Sequence, residues 1–246
     1  MIATQVARAN RGSQTEGRSS EELREIVQHV GAELELAPAE NIIEWAFATF
    51  GERFCLTSSM GDAVLAHLAA KVAPGIDVVF LDTGYHFAET IGTRDAVAAT
   101  MDVNVITIGP TRTVAEQDAE HGPELYKRDP DLCCALRKVE PLRSSLDGYD
   151  AWATGLRRAE TSNRVIAPVV GWDAKKKKVK VSPIARWSDD DVERYIEENG
   201  VLVNPLAYDG YPSIGCWPCT RRVAPGDDPR SGRWAGTNKT ECGIHM

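Results

Sequence analysis

The chain has 246 residues, a formal net charge of −8, 43% hydrophobic and 26% charged residues. That length supports a sizeable core in one domain, or one domain and a small lobe. The acidic balance argues against a broad nucleic-acid footprint, and no apolar run approaches the roughly 20 residues of a membrane helix.

Met1 to Arg18 is poor in large apolar residues and reads as a disordered tail. Ser19-Ser-Glu-Glu22 carries a capping-box pattern, and Leu23, Ile26, Val27, Val30 and Leu34 follow at helical spacing. Pro38 opens a second helix with Ile42, Ile43, Phe47 and Phe50 on its buried side, ending at Gly51. Strand–turn–helix units come next. Arg53 to Thr57 is a short apolar strand, Ser58 to Asp62 a turn, and Ala63 to Val72 a helix. Val78 to Leu81 is a second strand ending in Asp82-Thr-Gly84, with a helix from about His86 to Met101. Val103 to Ile108, Ala151 to Gly155 and Val165 to Val170 are further strands. Continuous apolar strands alternating with helices imply a parallel sheet covered on both faces, in which ligands bind beyond the strands' carboxyl ends. Lys175 to Lys178 reads as an exposed turn between short strands. Ser188-Asp-Asp-Asp191 starts a helix that runs to Asn199-Gly200. Periodicity is lost from Val201 on, so residues 19–200 read as an α/β domain and 201–246 as an irregular segment of the same domain.

Five groups carry chemistry. Ser58, Gly61 and Asp62 lie in a turn that leads into a helix N-terminus, where amides and hydroxyls can hold an anion; the turn's own geometry accounts for them equally well. Leu81, Thr83 and Gly84 form a turn that lets a ligand approach the backbone, or that caps the next helix. Arginines including Arg157, Arg158, Arg164, Arg230 and Arg233 suit phosphate or sulfate oxygens, or surface ion pairs. Cys133-Cys134 and Cys216-Trp-Pro-Cys219 together make four soft ligands for an iron–sulfur cluster or a structural zinc, with Lys138 one turn beyond Cys134. Adjacent cysteines and a Cys-x-x-Cys without a signal peptide suit a reducing cytoplasm better than disulfides. Cys242 and His245 lie in a polar, glycine-flanked tail, where a thiol can reach over a cleft if nearby cations favour its thiolate. Cys55 reads as an inert core residue.

In combination, Ser-Ser-x-Gly-Asp, Leu-Asp-Thr-Gly, Cys-Cys-x-x-Arg-Lys, Gly-Leu-Arg-Arg, Gly-Cys-x-x-Cys-Thr and Glu-Cys-Gly-x-His resemble the assimilatory adenylyl-sulfate reductase family, the cluster-containing branch of the sulfonucleotide reductases. The resemblance spans about Pro38 to His245. It implies a Rossmann-like sheet of the adenine nucleotide alpha hydrolase type, with helices on both faces. It implies a [4Fe–4S] cluster on Cys133, Cys134, Cys216 and Cys219, with Cys242 as nucleophile and His245 beside it. Ser58, Gly61, Asp62, Leu81, Thr83 and Gly84 would face the nucleotide, and Arg164, Arg230 and Arg233 its phosphate and sulfate. Lys138 would link cluster and substrate. The implied reaction takes adenosine 5′-phosphosulfate to sulfite and AMP. Because no thioredoxin-like domain follows Cys242, external thioredoxin is the implied reductant. A homo-oligomer is compatible with the sequence. Ser58-Ser-Met-Gly-Asp-Ala63 departs from the Ser-Gly-Gly-x-Asp-Ser of ATP pyrophosphatases with this fold, which argues against adenylating chemistry. The cluster cysteines favour a substrate without a 3′-phosphate.

Overall fold

A computed structural model describes residues 17–237 and 239–244. Helices α1 (Ser20–Leu34) and α2 (Ala39–Phe50) lead into β1 (Phe54–Ser58), α3 (Val64–Val72), β2 (Ile76–Leu81), α4 (Ala88–Thr100) and β3 (Val103–Ile108). Short helices α5 (Val114–His121), α6 (Leu125–Arg128), α7 (Pro130–Cys134) and α8 (Glu140–Ser145) follow, with a π-helical turn over Ala135–Val139 between the last two. Then come β4 (Ala151–Thr154), β5 (Val170–Asp173), β6 (Lys178–Val181) and α9 (Asp189–Asn199).

The strands form one sheet in the order β3-β2-β1-β4-β6-β5. All neighbours run parallel except β5, which returns antiparallel along β6. The central strands are apolar because both faces are covered. Phe54, Leu56, Val78 and Phe80 pack with α2 and α3, while Cys55, Val79 and Trp152 pack with Leu142 and Leu146 of α8 and the turn after it. Cys55 is fully buried, as an inert core thiol should be.

Capping fixes several helix starts. Ser19 and Glu22 exchange bonds in a capping box before α1, and Ser188 and Asp191 do the same before α9. Gly200 closes α9 in the left-handed region at φ 60°. Arg18 is tied down: its amide and guanidinium each donate to Asp150 at 3.3 Å, and Arg53 reaches the same carboxylate at 2.9 Å.

Two expectations are corrected. Val165 to Val170 is not a strand. Ser162–Arg164 is a turn of 3-10 helix, Ile166 is 90% exposed, and the strand begins at Val170. Pro168 lacks the amide a ladder needs, so the apolar run serves a loop that carries Arg164. The lysine run is also not uniformly solvated. Lys175 and Lys177 are exposed, but the side chain of Lys176 is only 4% exposed.

Among the described residues no helix is long and apolar enough to cross a membrane.

Candidate active site

The site is built from loops at the carboxyl ends of β1, β2 and β4 together with the irregular segment after α9. At the end of β1, Met60 sits at φ 57° with its amide on the Ser58 hydroxyl at 3.2 Å. Asp62 accepts the Val64 amide at 2.9 Å and so caps α3, while burial pushes its carboxyl upward in pKa. The Gly61 carbonyl accepts the Asn204 amide at 3.1 Å, and Asp62 pairs with Val203 in an isolated bridge. This turn is therefore held closed by its own side chains and by the strand-like stretch at Val203–Asn204.

At the end of β2, the Leu81 carbonyl meets His86 Nε2 at 2.8 Å, and Asp82 accepts the Gly84 amide at 3.0 Å. Gly84 takes φ 72°, a region that disfavours other residues. Thr83 is fully buried, and its hydroxyl lies 3.2 Å from Cys216 Sγ. Its carbonyl accepts Arg137 Nε, and the Arg137 guanidinium lies 5.3 Å from the centre of the Tyr85 ring. This turn thus leans toward the cysteines rather than toward Ser58.

Four cysteines meet where α7 approaches the Trp217–Cys219 turn. Cys133, Cys134, Cys216 and Cys219 line one enclosed cavity together with Tyr85, Arg137 and Lys138. The Trp217 amide donates to the Tyr85 carbonyl at 2.8 Å, which fixes the second cysteine pair to the β2 turn. Burial, then the neighbouring Cys216 and Cys219, push the Cys133 thiol up to about 11. Among the described residues no three His, Cys, Asp or Glu side chains close on one point as ligands of a single ion would. The donor set nonetheless fits an iron–sulfur cluster. Four soft sulfurs face one cavity, and the Thr83 hydroxyl is aimed at one of them as an outer donor.

Lys138 is buried beside these sulfurs. Burial opposes its charge, but Cys216, Cys242 and Cys134 outweigh that and hold its pKa well above the ordinary value. Cys242 lies in the same place, 9% exposed. A hydrogen bond from the protonated Cys134 thiol holds the Cys242 thiol well below its usual pKa against the effect of burial, and Lys138 adds to this; with Cys134 bound to metal that donor is gone and Lys138 remains as a cation beside Cys242.

The arginines gather around Glu241, which the sequence reading did not single out. Arg164 donates to it through Nε at 2.8 Å and Nη2 at 2.7 Å, a forked pair. Arg230 reaches the same carboxylate at 3.4 Å, and Arg164 also pairs with Glu160. Burial alone would raise the Glu241 carboxyl, but Arg164 and the Cys242 amide, which donates to Oε1 at 3.0 Å, carry it down to about 2. Arg233 bonds Ser213 and the Ile214 carbonyl and stacks 4.5 Å from the Trp234 ring centre. Arg157 and Arg158 point elsewhere, to Asp189 and Glu35. A cleft of about 570 Å³, lined in part by Leu156, Arg164, Lys180 and Glu241, opens beside this cluster.

The structure therefore brings Cys133, Cys134, Cys216, Cys219, Lys138 and Cys242 together, with Thr83 against them and Arg164 and Arg230 joined through Glu241. Ser58, Gly61 and Asp62 form a separate turn at the end of β1. His245 lies outside the described residues. The signal for Glu241 was its place next to Cys242 in Glu-Cys-Gly.

Paired cysteines and a group of arginines thus stand at the carboxyl edge of an α/β sheet, where folds of this class take their ligands. The chain belongs to the phosphoadenosine phosphosulfate reductase family, whose domain model matches residues 53–222. It is 66% identical over 230 residues to an adenosine 5′-phosphosulfate reductase of Streptomyces coelicolor, covering 94% of this chain and 98% of that one. It is 58% identical over 225 residues to an adenosine 5′-phosphosulfate reductase of Mycolicibacterium smegmatis, covering 92% and 95%. Among solved structures, a phosphoadenylyl-sulfate reductase from Candida auris, in a phosphate complex, superposes with a TM-score of 0.68 at 27% identity over 86% of this chain and all of that one.

Proposed function

We propose that the protein reduces adenosine 5′-phosphosulfate to sulfite and AMP, with thioredoxin as reductant, in cytoplasmic sulfate assimilation and cysteine biosynthesis. The observation that carries this reading is the seat of Cys242: a thiol on a terminal segment, placed against Lys138 beside an arginine cluster. The names of the relatives support the substrate.

The Cys242 thiolate attacks the sulfate sulfur, the bond from that sulfur to the bridging phosphate oxygen breaks, and AMP leaves with the electron pair. Cys242 then carries an S-sulfo group. A thioredoxin thiolate attacks Cys242 Sγ and sulfite departs, leaving a mixed disulfide. The second thioredoxin thiol resolves it and restores Cys242, so the two electrons that take sulfate to sulfite come from the thioredoxin dithiol. Lys138 offsets charge on the sulfonyl oxygens, and Arg164, Arg230 and Arg233 take phosphate and sulfate oxygens. Ser58, Gly61, Asp62, Leu81, Thr83 and Gly84 shape the nucleotide end of the site. His245, three residues after Cys242 in the sequence, is assigned proton exchange. Cys133, Cys134, Cys216 and Cys219 would hold a [4Fe–4S] cluster, which when bound would add negative charge and a redox-active centre to the site.

Sulfite release by anaerobically purified protein with thioredoxin tests this. Adenosine 5′-phosphosulfate and its 3′-phosphorylated form are compared side by side, and the first should be strongly preferred. Preference for the 3′-phosphorylated form would replace the substrate and keep the mechanism. No sulfite from either would overturn the reading.

A further inference from the structure

Lys176 folds inward from the hairpin that carries it, further than its turn requires. It follows β5 in a run of four lysines, and its neighbours Lys175 and Lys177 are exposed. The turn is already capped, since Asp173 Oδ1 accepts the amides of Lys175 at 3.1 Å and Lys176 at 3.0 Å. Yet the Lys176 side chain folds inward. Its ammonium donates to Asp173 Oδ2 at 2.9 Å and lies 5.1 Å from the centre of the Trp152 ring. A buried ammonium is costly unless its donors are used. The remaining partner is the carbonyl of Ile244, at 3.1 Å, two residues past Cys242. The Ile244 side chain packs on the apolar group of Cys55, Val79, Leu142, Leu146 and Trp152.

We propose that Lys176, braced by Asp173, is a positioning residue that seats the Cys242 tail on the sheet. The inference rests on the reading of Cys242 as nucleophile, because a thiol that must return to one place needs a fixed anchor. The tail is held on both sides of Cys242. Upstream, Glu241 is bound by Arg164 and Arg230. Downstream, Ile244 is bound by Lys176. The upstream anchor uses the arginines that take substrate oxygens, so an arriving anion competes with it. The downstream anchor uses an ammonium from a different element, already paired with Asp173. It keeps the tail hinged when the arginines change partner.

The test is site-resolved alkylation of Cys242 by iodoacetamide in the full chain, read by peptide mass spectrometry alongside steady-state kinetics. Lys176→Met removes the donor and keeps the apolar stem. Cys242 alkylation should accelerate about tenfold, the scale of one lost charge-assisted hydrogen bond. At the same time kcat should fall while KM for the nucleotide stays within about twofold of the parent, and Lys176→Arg should restore slow alkylation. Ile244→Ala keeps the carbonyl that Lys176 binds and removes only the apolar side chain, so it should accelerate alkylation through a separate contact, and Lys176→Met should accelerate it further in that background. Alkylation of Lys176→Met at the parent rate would overturn the proposal, whether or not its melting temperature fell, since Lys176 would then serve the hairpin alone. The parent reading fails separately, through a Cys242→Ser variant that still releases sulfite.

Discussion

The hydroxyl of Thr83 lies 3.2 Å from the sulfur of Cys216, joining the turn after β2 to a cysteine 133 residues further along the chain. On the proposed reading of Cys216 as a cluster ligand, its sulfur has no proton to give and the hydroxyl donates. Such a bond favours the more negative, reduced state of a cluster. Thr83→Val should shift a cluster's midpoint potential about 20–60 mV more negative, the one-electron equivalent of one modest hydrogen bond. Thr83→Ser should not. A redox titration followed by electron paramagnetic resonance reads both.

Lys138 is a buried cation among sulfurs, and its charge is set by them. Lys138→Met should lower kcat by about 10²–10³, the usual loss when one preorganised charge is removed from a site. KM should change far less, because the charge acts as the sulfur passes from the phosphate oxygen to Cys242. Lys138→Arg should recover part of the rate. Single-turnover formation of the S-sulfo adduct, followed by mass spectrometry, isolates the affected step.

The Glu241 carboxyl stands at about 2 when docked, against an ordinary value of 4.5. A depressed carboxyl adds stability that is complete above the free value and is lost as pH falls through the docked one. Tail docking should therefore weaken between pH 4.5 and about 2. The protection of the Cys242 amide from hydrogen exchange, relative to its intrinsic rate at each pH, should fall over that window, and Glu241→Gln should abolish that fall.

Asp150 is 1% exposed and receives both Arg18 and Arg53. Asp150→Ala would strand these arginines, although both can turn partly to solvent, so the cost should be about 2 kcal/mol, below that of a fully buried pair. Thermal unfolding should show a fall of about 4–8 °C. Asp150→Asn should lose less.

Gly84 holds φ 72°, and a Cβ there would stand 3.0 Å from Arg137 Nη2. Gly84→Ala should cost about 1 kcal/mol from backbone strain alone. It should also push Arg137 off the Thr83 carbonyl. Near-ultraviolet circular dichroism would register the shift through Tyr85, which Arg137 covers.

The sheet was legible because its strands are short apolar runs punctuated by turns, and Val103–Ile108 was read to the residue. The error at Val165–Val170 shares the cause of that success: apolar composition alone cannot tell a strand from an exposed loop, and Pro168 was the discordant signal. The helices between Val114 and Ser145 are short and half-buried, too brief for a periodic pattern. In the site, the cysteines announced themselves by type and spacing. Glu241 and Lys176 did not, because an acid or a lysine in a polar stretch reads as surface until a partner distant in sequence is known. Thr83 shows the same limit: its turn was plain, but the direction of its hydroxyl depends on where Cys216 folds back.

The segment from Glu241 to Ile244 is held by the arginines on Glu241, by Cys134 against Cys242, by Lys176 on the Ile244 carbonyl and by the Ile244 side chain, and it contributes nothing to the sheet ladder. Detaching it leaves every strand pairing intact, so it can open at a free-energy cost well below that of global unfolding. The proposed nucleophile, Cys242, is thus carried on a segment that lies outside the sheet. A large protein partner could receive that thiol in its own groove while the fold that bound the small substrate stayed unchanged.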